Sequence, residues 1–262
     1  MIVVKYGGHV LESAAENDRI VETISCFHNA GGKVVVVHGG GPAVDQELAI
    51  HGIVTTMVSG YRVTTPEVMA IVQQTLSGSV LRTLTNKFIE FGANAIGLSA
   101  GDGATMRARR YSPIVSGKPV DAGLVGEAET TDPSLLLLLM SHGYLPIISP
   151  VSVQVDGRAL NVNGDIAAGS IAGALEATEV LFITDVPGIY RHWPDASTLI
   201  SEISAVELQG IATTFSDGMA PKVKAVLTAL SSGAAQARII DGRNIENIER
   251  AFNGEGGTVV TK

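Results

Sequence analysis

Three charged side chains sit where a chain of this pattern leaves charge poorly served by water. Lys5 closes the apolar run IVV just before Tyr6, Gly7 and Gly8. At the end of a buried strand its ammonium either snorkels to solvent along its own stem or is met by an anion. Lys222, in GMAPKVKAVL, falls near the start of a helical pattern, where the helix dipole disfavours a cation and an anionic ligand removes the penalty. Asp165 lies in NVNGDIAAGSIAGAL, in the first turn of an otherwise apolar helix. It reads as an ordinary helix-start acid or as a carboxylate that holds two lysines in place between phosphates. Lys224, two positions beyond Lys222, faces another way and reads as solvated.

Glycine clusters stand beside these charges. KYGGHV follows the first strand pattern, HGGGP follows VVVV, and NVNGD precedes the helix at Asp165. One glycine pair alone makes a tight turn. Two such loops after the first two strands point instead to backbone N–H groups that approach a phosphate closely, helped by a helix N-terminus. The dinucleotide fingerprint G-x-G-x-x-G fails, because Val44 stands where its last glycine is required. A Walker A loop fails as well, since neither Gly32-Lys33 nor Gly117-Lys118 is followed by Ser or Thr. His38 adjoins the glycines and is placed to bond to the loop backbone.

The elements that must carry these residues alternate. IVVKY, KVVVVH, ANAIGLS, YLPIISP, EVLFITD, ARIID and GTVVT read as strands, separated by helices over about 14–29, after Pro42, over 66–91 and 133–141, from Asp165, over 219–230 and after Arg243. Strand–helix–strand repetition predicts an α/β fold with a mainly parallel sheet, whose ligand-binding loops lie at the carboxyl edge. Turn residues in 101–127 predict hairpins along one edge of that sheet, with Arg107, Arg109 and Arg110 on a solvated strand face. A soft boundary falls near 174–178, where the second half begins its own strands.

With 262 residues, 45% of them apolar and 17% charged, the chain can bury a substantial core. Its formal net charge of -8 offers no field for nucleic acid or an anionic membrane. The single cysteine, Cys26, rules out an intrachain disulfide, reads as a packed thiol and fits a reducing cytoplasm. The start shows no charged-then-apolar leader, and the apolar run 135–140 reads as a buried helix too short to cross a bilayer.

Taken together, VVKYGG, VVVVHGGGPAVDQEL, SGYRVTTPEVM, GANAIGLSAGDG, DAGLVGE, GYLPIISPV, LNVNGDIAAGSIAGAL, ITDVPGIY and SDGMAPKVKAVLTAL resemble, in order and over nearly the whole chain, the amino acid kinase family, in particular its branch that phosphorylates N-acetyl-L-glutamate on the route to arginine. The resemblance implies a three-layer αβα sandwich of two lobes: residues 1–175 for the amino acid substrate and dimerisation, and residues 176–262 for ATP. It implies transfer of the γ-phosphoryl group of Mg-ATP to the side-chain carboxylate of N-acetyl-L-glutamate, with Mg2+ held mainly through the ATP phosphates and no metal site of the protein's own. Lys5 would contact phosphoryl oxygens between donor and acceptor, Lys222 would stabilise the leaving ADP, and Asp165 would orient both lysines. N–H groups of Gly8, Gly40 and Gly41 would line the transfer site, Arg62 would pair with the substrate α-carboxylate and Asn161 would hold the amino acid portion. Thr184, Asp185, Val186, Gly188 and Tyr190, with Ser216, Gly218 and Met219, match the family's nucleotide segments.

Some positions depart from that pattern: His9 where Asn is common, Leu81 and Arg82 where an Asn-Lys pair is common, and Gly164 where alanine is frequent. One rival is a kinase for aminoadipate or glutamate attached to a small acidic carrier protein, which the ending DGRNIENIERAFNGEGGTVV resembles; another is a non-catalytic nucleotide-binding regulator. GYRVT and the single lysine of YSPIVSGKPVDAG favour the free amino acid over the carrier-bound one, and the presence of Lys5, Asp165 and Lys222 speaks against a regulator without transfer activity. Hexameric, arginine-inhibited members carry an extra N-terminal helix, so a homodimer insensitive to arginine is expected, in the cytoplasm.

Overall fold

The structure, a computed structural model, describes residues 1–7, 14–115, 117–192, 195–215 and 219–262. Eight strands make one sheet: β1 (Ile2–Tyr6), β2 (Val34–His38), β3 (Ala95–Ser99), β4 (Leu145–Ser149), β5 (Glu179–Thr184), β6 (Glu202–Ser204), β7 (Gln236–Asp241) and β8 (Thr258–Thr261). Their order is β6-β8-β7-β5-β1-β2-β4-β3. Neighbours are parallel except β7 and β8, so β6 and β8 run against the other six.

Successive side chains of a strand point to opposite faces, and a sheet covered on both faces needs apolar residues at every position. Thus Val3, Val35 and Val37 pack on one side, against Ile166, Ile171, Val223 and Val226 of the helices Gly164–Ala174 and Met219–Ser231. Val4, Val34 and Val36 pack on the other, with Ile20, Ile24, Leu84, Phe88 and Ile248 of the helices Ala14–Asn29, Leu81–Glu90 and Ile245–Phe252. The result is the expected αβα sandwich. It explains why VVVV carries no polar alternation: all four valines are wholly buried.

Two glycines fix the helix pair on the first face. A Cβ at Gly169 would come within 3.1 Å of the Ala225 carbonyl oxygen, and one at Gly173 within 2.4 Å of Ser232 Cβ. Contacts advance along both helices in the same sense, so the pair is parallel and both N-termini, with Asp165 and Lys222, arrive at one end.

The predicted helix over 66–91 is a continuous helical run in three parts: Pro66–Val72, a π-helical segment Gln73–Val80, and Leu81–Glu90. Thr65 caps it, its hydroxyl accepting from the Val68 N–H at 3.3 Å, with Pro66 at the first position. Other expectations need correction. The strands of 101–127 do not extend the sheet edge. Met106–Arg110 and Val125–Thr131 instead close a separate four-stranded barrel with Val151–Val153 and Ala159–Val162, because they find their backbone partners in each other and in those two strands, while Met106, Ala108, Leu160 and Val162 share one buried core with Val3, Val35 and Val37 of the sheet. The helix Ser134–Ser141 is buried on one side only: Leu136 is covered, whereas Leu137 and Leu138 are exposed. Cys26 is exposed on the solvent side of Ala14–Asn29, not packed. No helix among the described residues is long and apolar enough to cross a membrane.

Candidate functional site

The parallel register sets the ends of the central strands level: Tyr6 lies opposite His38, and Lys5 opposite Phe182. From the end of β1 the Lys5 side chain runs to the start of the helix Gly164–Ala174, where Nζ meets Asp165 Oδ1 at 2.6 Å, the two side chains being 13% and 12% exposed. Asn163 is the N-cap, its Oδ1 accepting from Asp165 N at 2.8 Å. A Cβ at Gly164 would lie 3.6 Å from Lys5 Cε and 3.8 Å from Gly39 Cα, so the lysine, the glycine loop and the helix start touch one another. Those are ordinary contact distances, so the alanine frequent in the family would also fit.

His38 is wholly buried at the end of β2. Its Nδ1 donates to the Gly39 carbonyl at 2.6 Å, and Nε2 has no partner among the described residues. Burial pushes its pKa down to about 4; the Lys5 charge adds to the drop and the bond to Gly39 opposes it. At neutral pH the ring is therefore neutral, with its proton on Nδ1, and it fastens the loop to the strand.

The glycines after it have different duties. Gly39 N–H donates to the Tyr6 carbonyl at 2.9 Å and makes the turn. Gly40 has φ +147°, and a Cβ there would lie 2.7 Å from Leu76 Cδ2 of the π-helical segment. Gly41 faces open space and begins the helix Gly41–Ile50, whose N-cap Gly40 supplies no side-chain acceptor. The start of that helix therefore has no side-chain cap, the condition in which backbone N–H groups can take an anion.

These groups border a cavity of 170 Å³ shared by Gly39, Gly40, Gly41, Arg62, Asn161 and Gly164. Arg62 pairs with Asp45 and donates to the Gly41 carbonyl at 3.4 Å; its side chain is 10% exposed, against 62% for Asp45. Asn161 Nδ2 donates to Thr64 Oγ1 at 3.1 Å. Leu81, buried in the core, and Arg82, bonded to the Gly97 carbonyl at 2.9 Å, stand away from these groups, so neither departure touches the cavity wall.

On the far side of β1, Thr184 ends β5, its hydroxyl accepting from Val186 N at 3.1 Å and lying 3.3 Å from the Ile240 carbonyl. Asp185 follows, half-exposed, with Lys222 Nζ 4.0 Å from its Oδ1. Asp165 thus pairs with Lys5, and Lys222 reaches toward Asp185. A Cβ at Gly188 would strike Thr258 Oγ1 at 2.3 Å, Tyr190 is buried, and Met219 opens its helix. Gly8, His9, Ser216 and Gly218 lie outside the described residues. Sequence reasoning missed Asn163, whose place two residues before Asp165 is a capping signal, and Asp45. It also took Lys224 as solvated, whereas its Nζ bonds to Tyr61 Oη at 3.0 Å and Tyr111 Oη at 3.4 Å.

Solved structures share this arrangement of layers. N-acetylglutamate synthase from Neisseria gonorrhoeae, complexed with coenzyme A and N-acetyl-glutamate, superposes with a TM-score of 0.85 at 22% identity, over 100% of this chain; this chain spans 59% of that one. Carbamate kinase from Giardia lamblia bound to AMP-PNP gives a TM-score of 0.71 at 18% identity, over 100% of this chain and 98% of that one. They define an α/β fold of the amino acid kinase type. By sequence, residues 1–241 match the amino acid kinase family, and the chain belongs to it. Acetylglutamate kinase of Salinispora tropica is 40% identical over 262 residues, 99% of this chain and 89% of that protein. The acetylglutamate kinase of Beutenbergia cavernae is 41% identical over 245 residues, 93% of this chain and 78% of that protein.

Proposed function

We propose that this chain transfers the γ-phosphoryl group of ATP to the side-chain carboxylate of N-acetyl-L-glutamate, forming N-acetyl-L-glutamyl 5-phosphate for arginine biosynthesis. The observation that carries the reading is the Lys5–Asp165 pair beside a glycine-walled cavity that also holds Arg62. A carboxylate is already a nucleophile, so no general base is needed. Its oxygen forms a bond to phosphorus while the bond from phosphorus to the ADP oxygen breaks. Catalysis is positioning plus neutralisation of charge on the equatorial oxygens.

Lys5 serves those oxygens between donor and acceptor, Asp165 holds its ammonium in place, and Lys222 meets charge on the leaving ADP. N–H groups of Gly8, Gly40 and Gly41 act as an oxyanion hole does. Arg62 exchanges its exposed partner Asp45 for the substrate α-carboxylate, one carboxylate for another, so its charge stays paired. Asn161 holds the amino acid portion. Thr184, Asp185, Val186, Gly188, Tyr190, Ser216, Gly218 and Met219 bind the nucleotide. Two lysines facing one carboxyl edge suit a polyphosphate, and Mg2+ carried on the ATP phosphates would add charge neutralisation. Residues 1–175 form the acceptor lobe and residues 176–262 the nucleotide lobe. The same proposal carries a cytoplasmic homodimer; light scattering that finds a monomer or hexamer removes that part.

The experiment is incubation with Mg-ATP and N-acetyl-L-glutamate, trapping acyl phosphate with hydroxylamine. Hydroxamate is expected. None from the free amino acid, with product from a carrier-linked glutamate or aminoadipate, would replace this substrate by the carrier-bound one.

A further inference from the structure

Lys222 and Lys224 share a helix, Met219–Ser231, and only the first is used by the proposed reaction. The second is not loose. Its ammonium donates to Tyr61 Oη at 3.0 Å and lies 3.4 Å from Tyr111 Oη. It also sits 5.5 Å from the centre of the Tyr61 ring and 4.8 Å from that of Tyr111, within the range of cation–π attraction. The two rings pack on each other, with centroids 5.1 Å apart and planes tilted by 51°. Three distant stretches of chain therefore meet at one cation.

Each of them leads to a functional group. Tyr61 pairs with Val58 in the hairpin Met57–Val58/Tyr61–Arg62 and is followed directly by Arg62. The turn before it, Ser59 at φ 48° and Gly60 at φ 80°, is the left-handed two-residue turn that hairpins favour, but it closes only two residue pairs, too few to hold Arg62 in place without an outside contact. Tyr111 continues the barrel strand Met106–Arg110, its N–H donating to the Val125 carbonyl at 3.0 Å, and is the fixed end of the cluster. Lys224 is rigidly tied to Lys222 through little more than half a helical turn. Tyr61 borders both the acceptor cavity and an adjoining cavity of 410 Å³ that Tyr111 and Lys224 also line.

We propose that Lys224 is a positioning residue: held between Tyr61 and Tyr111, it locks the hairpin that carries Arg62 to the helix that carries Lys222, and so sets acceptor and leaving-group sites at working separation. This rests on the phosphoryl transfer proposed above. Lys224 touches neither phosphate nor acceptor. Its loss therefore acts through the placement of Arg62 relative to the helix that carries Lys222, which its own packing on Gly164–Ala174 keeps in place, so nucleotide binding is left alone.

Steady-state kinetics of Lys224→Met, Lys224→Arg and the pair Tyr61→Phe/Tyr111→Phe test it, with thermal unfolding of each. The expected result for Lys224→Met is a KM for N-acetyl-L-glutamate raised about tenfold and a kcat lowered several-fold, with the KM for ATP within about twofold, as removal of hydrogen bonds to a charged group requires. Lys224→Arg, which keeps a cation with several donors, recovers most of the loss. Adding Tyr61→Phe to Lys224→Met costs little more, since the bond to Tyr61 is already gone in the single variant. Unchanged kinetics in Lys224→Met, or equal rises in both KM values with a lowered melting temperature, overturn the inference while the proposed reaction stands. A wild-type protein that phosphorylates no amino acid acceptor overturns both.

Discussion

Lys5 Nζ and Asp165 Oδ1 lie 2.6 Å apart, the one from the central strand and the other from the first turn of a helix far along the chain. The pair is nearly withdrawn from water, so each charge depends on the other. Removing one partner of such a pair costs more than the pair itself contributes, because a charge is left without compensation. Lys5→Ala is expected to lower kcat about 10²- to 10³-fold, the scale of one oxyanion donor, while ATP affinity changes far less. Calorimetry with a non-hydrolysable ATP analogue separates the two; an equal loss of affinity would reduce Lys5 to a substrate anchor. Asp165→Asn, which keeps shape and removes charge, should lower kcat similarly.

The glycines should separate fold from function. Gly40→Ala puts a Cβ 2.7 Å from Leu76 Cδ2 at a φ of +147°, and is expected to destabilise the protein by about 1–3 kcal/mol in urea unfolding. Gly41→Ala meets open space and should fold normally, but its methyl enters the acceptor cavity and raises the KM for N-acetyl-L-glutamate. Gly164→Ala has room for its methyl and should change neither property by more than about twofold. Equal melting temperatures for the Gly40 and Gly41 variants would refute the distinction.

His38 sets a pH window. Its pKa is near 4 in the folded chain and near 6.5 unfolded, so above 6.5 neither state holds the proton and the full stability is present. As pH falls from 6.5 towards 4 the unfolded chain takes up a proton that the folded chain does not, and stability drops by about 3 kcal/mol in all. Denaturation midpoints measured between pH 7 and 4 should fall more steeply for the wild type than for His38→Gln, which cannot titrate. Parallel slopes would mean that the ring is protonated in the folded state.

Arg62→Lys tests the planar fork. A lysine keeps the charge but cannot bind a carboxylate through two parallel N–H groups. We expect a KM for N-acetyl-L-glutamate raised about tenfold with the KM for ATP unchanged, read from initial rates. No change in acceptor KM would assign Arg62 to its partner Asp45 alone.

Much of this was legible because the physics was local. Four consecutive buried valines announce a strand covered on both faces, and a lysine at the end of the neighbouring apolar strand either snorkels or meets an anion; the structure shows the second, with Asp165 as the anion. The barrel was not legible, because strand Val151–Val153 pairs with Arg107 and strand Ala159–Val162 with Val125, across a helix and a sheet strand that interrupt them. Cys26 and Leu138 misled for a related reason: apolar neighbours along the chain do not say which side of a helix meets the sheet. Lys224 misled because its partners are aromatic, contributed by Tyr61 and Tyr111, and no charge pattern in the sequence points to them.

Gly169 and Gly173 press two helices together so closely that neither can slide along the other. Asp165 and Lys222, at the leading ends of these helices, are therefore like two teeth cut on a single part. Their spacing is set by packing many residues away rather than by the glycine loops. A methyl group added at Gly173, far from any ligand, would shift that spacing and register as a defect in turnover rather than in binding.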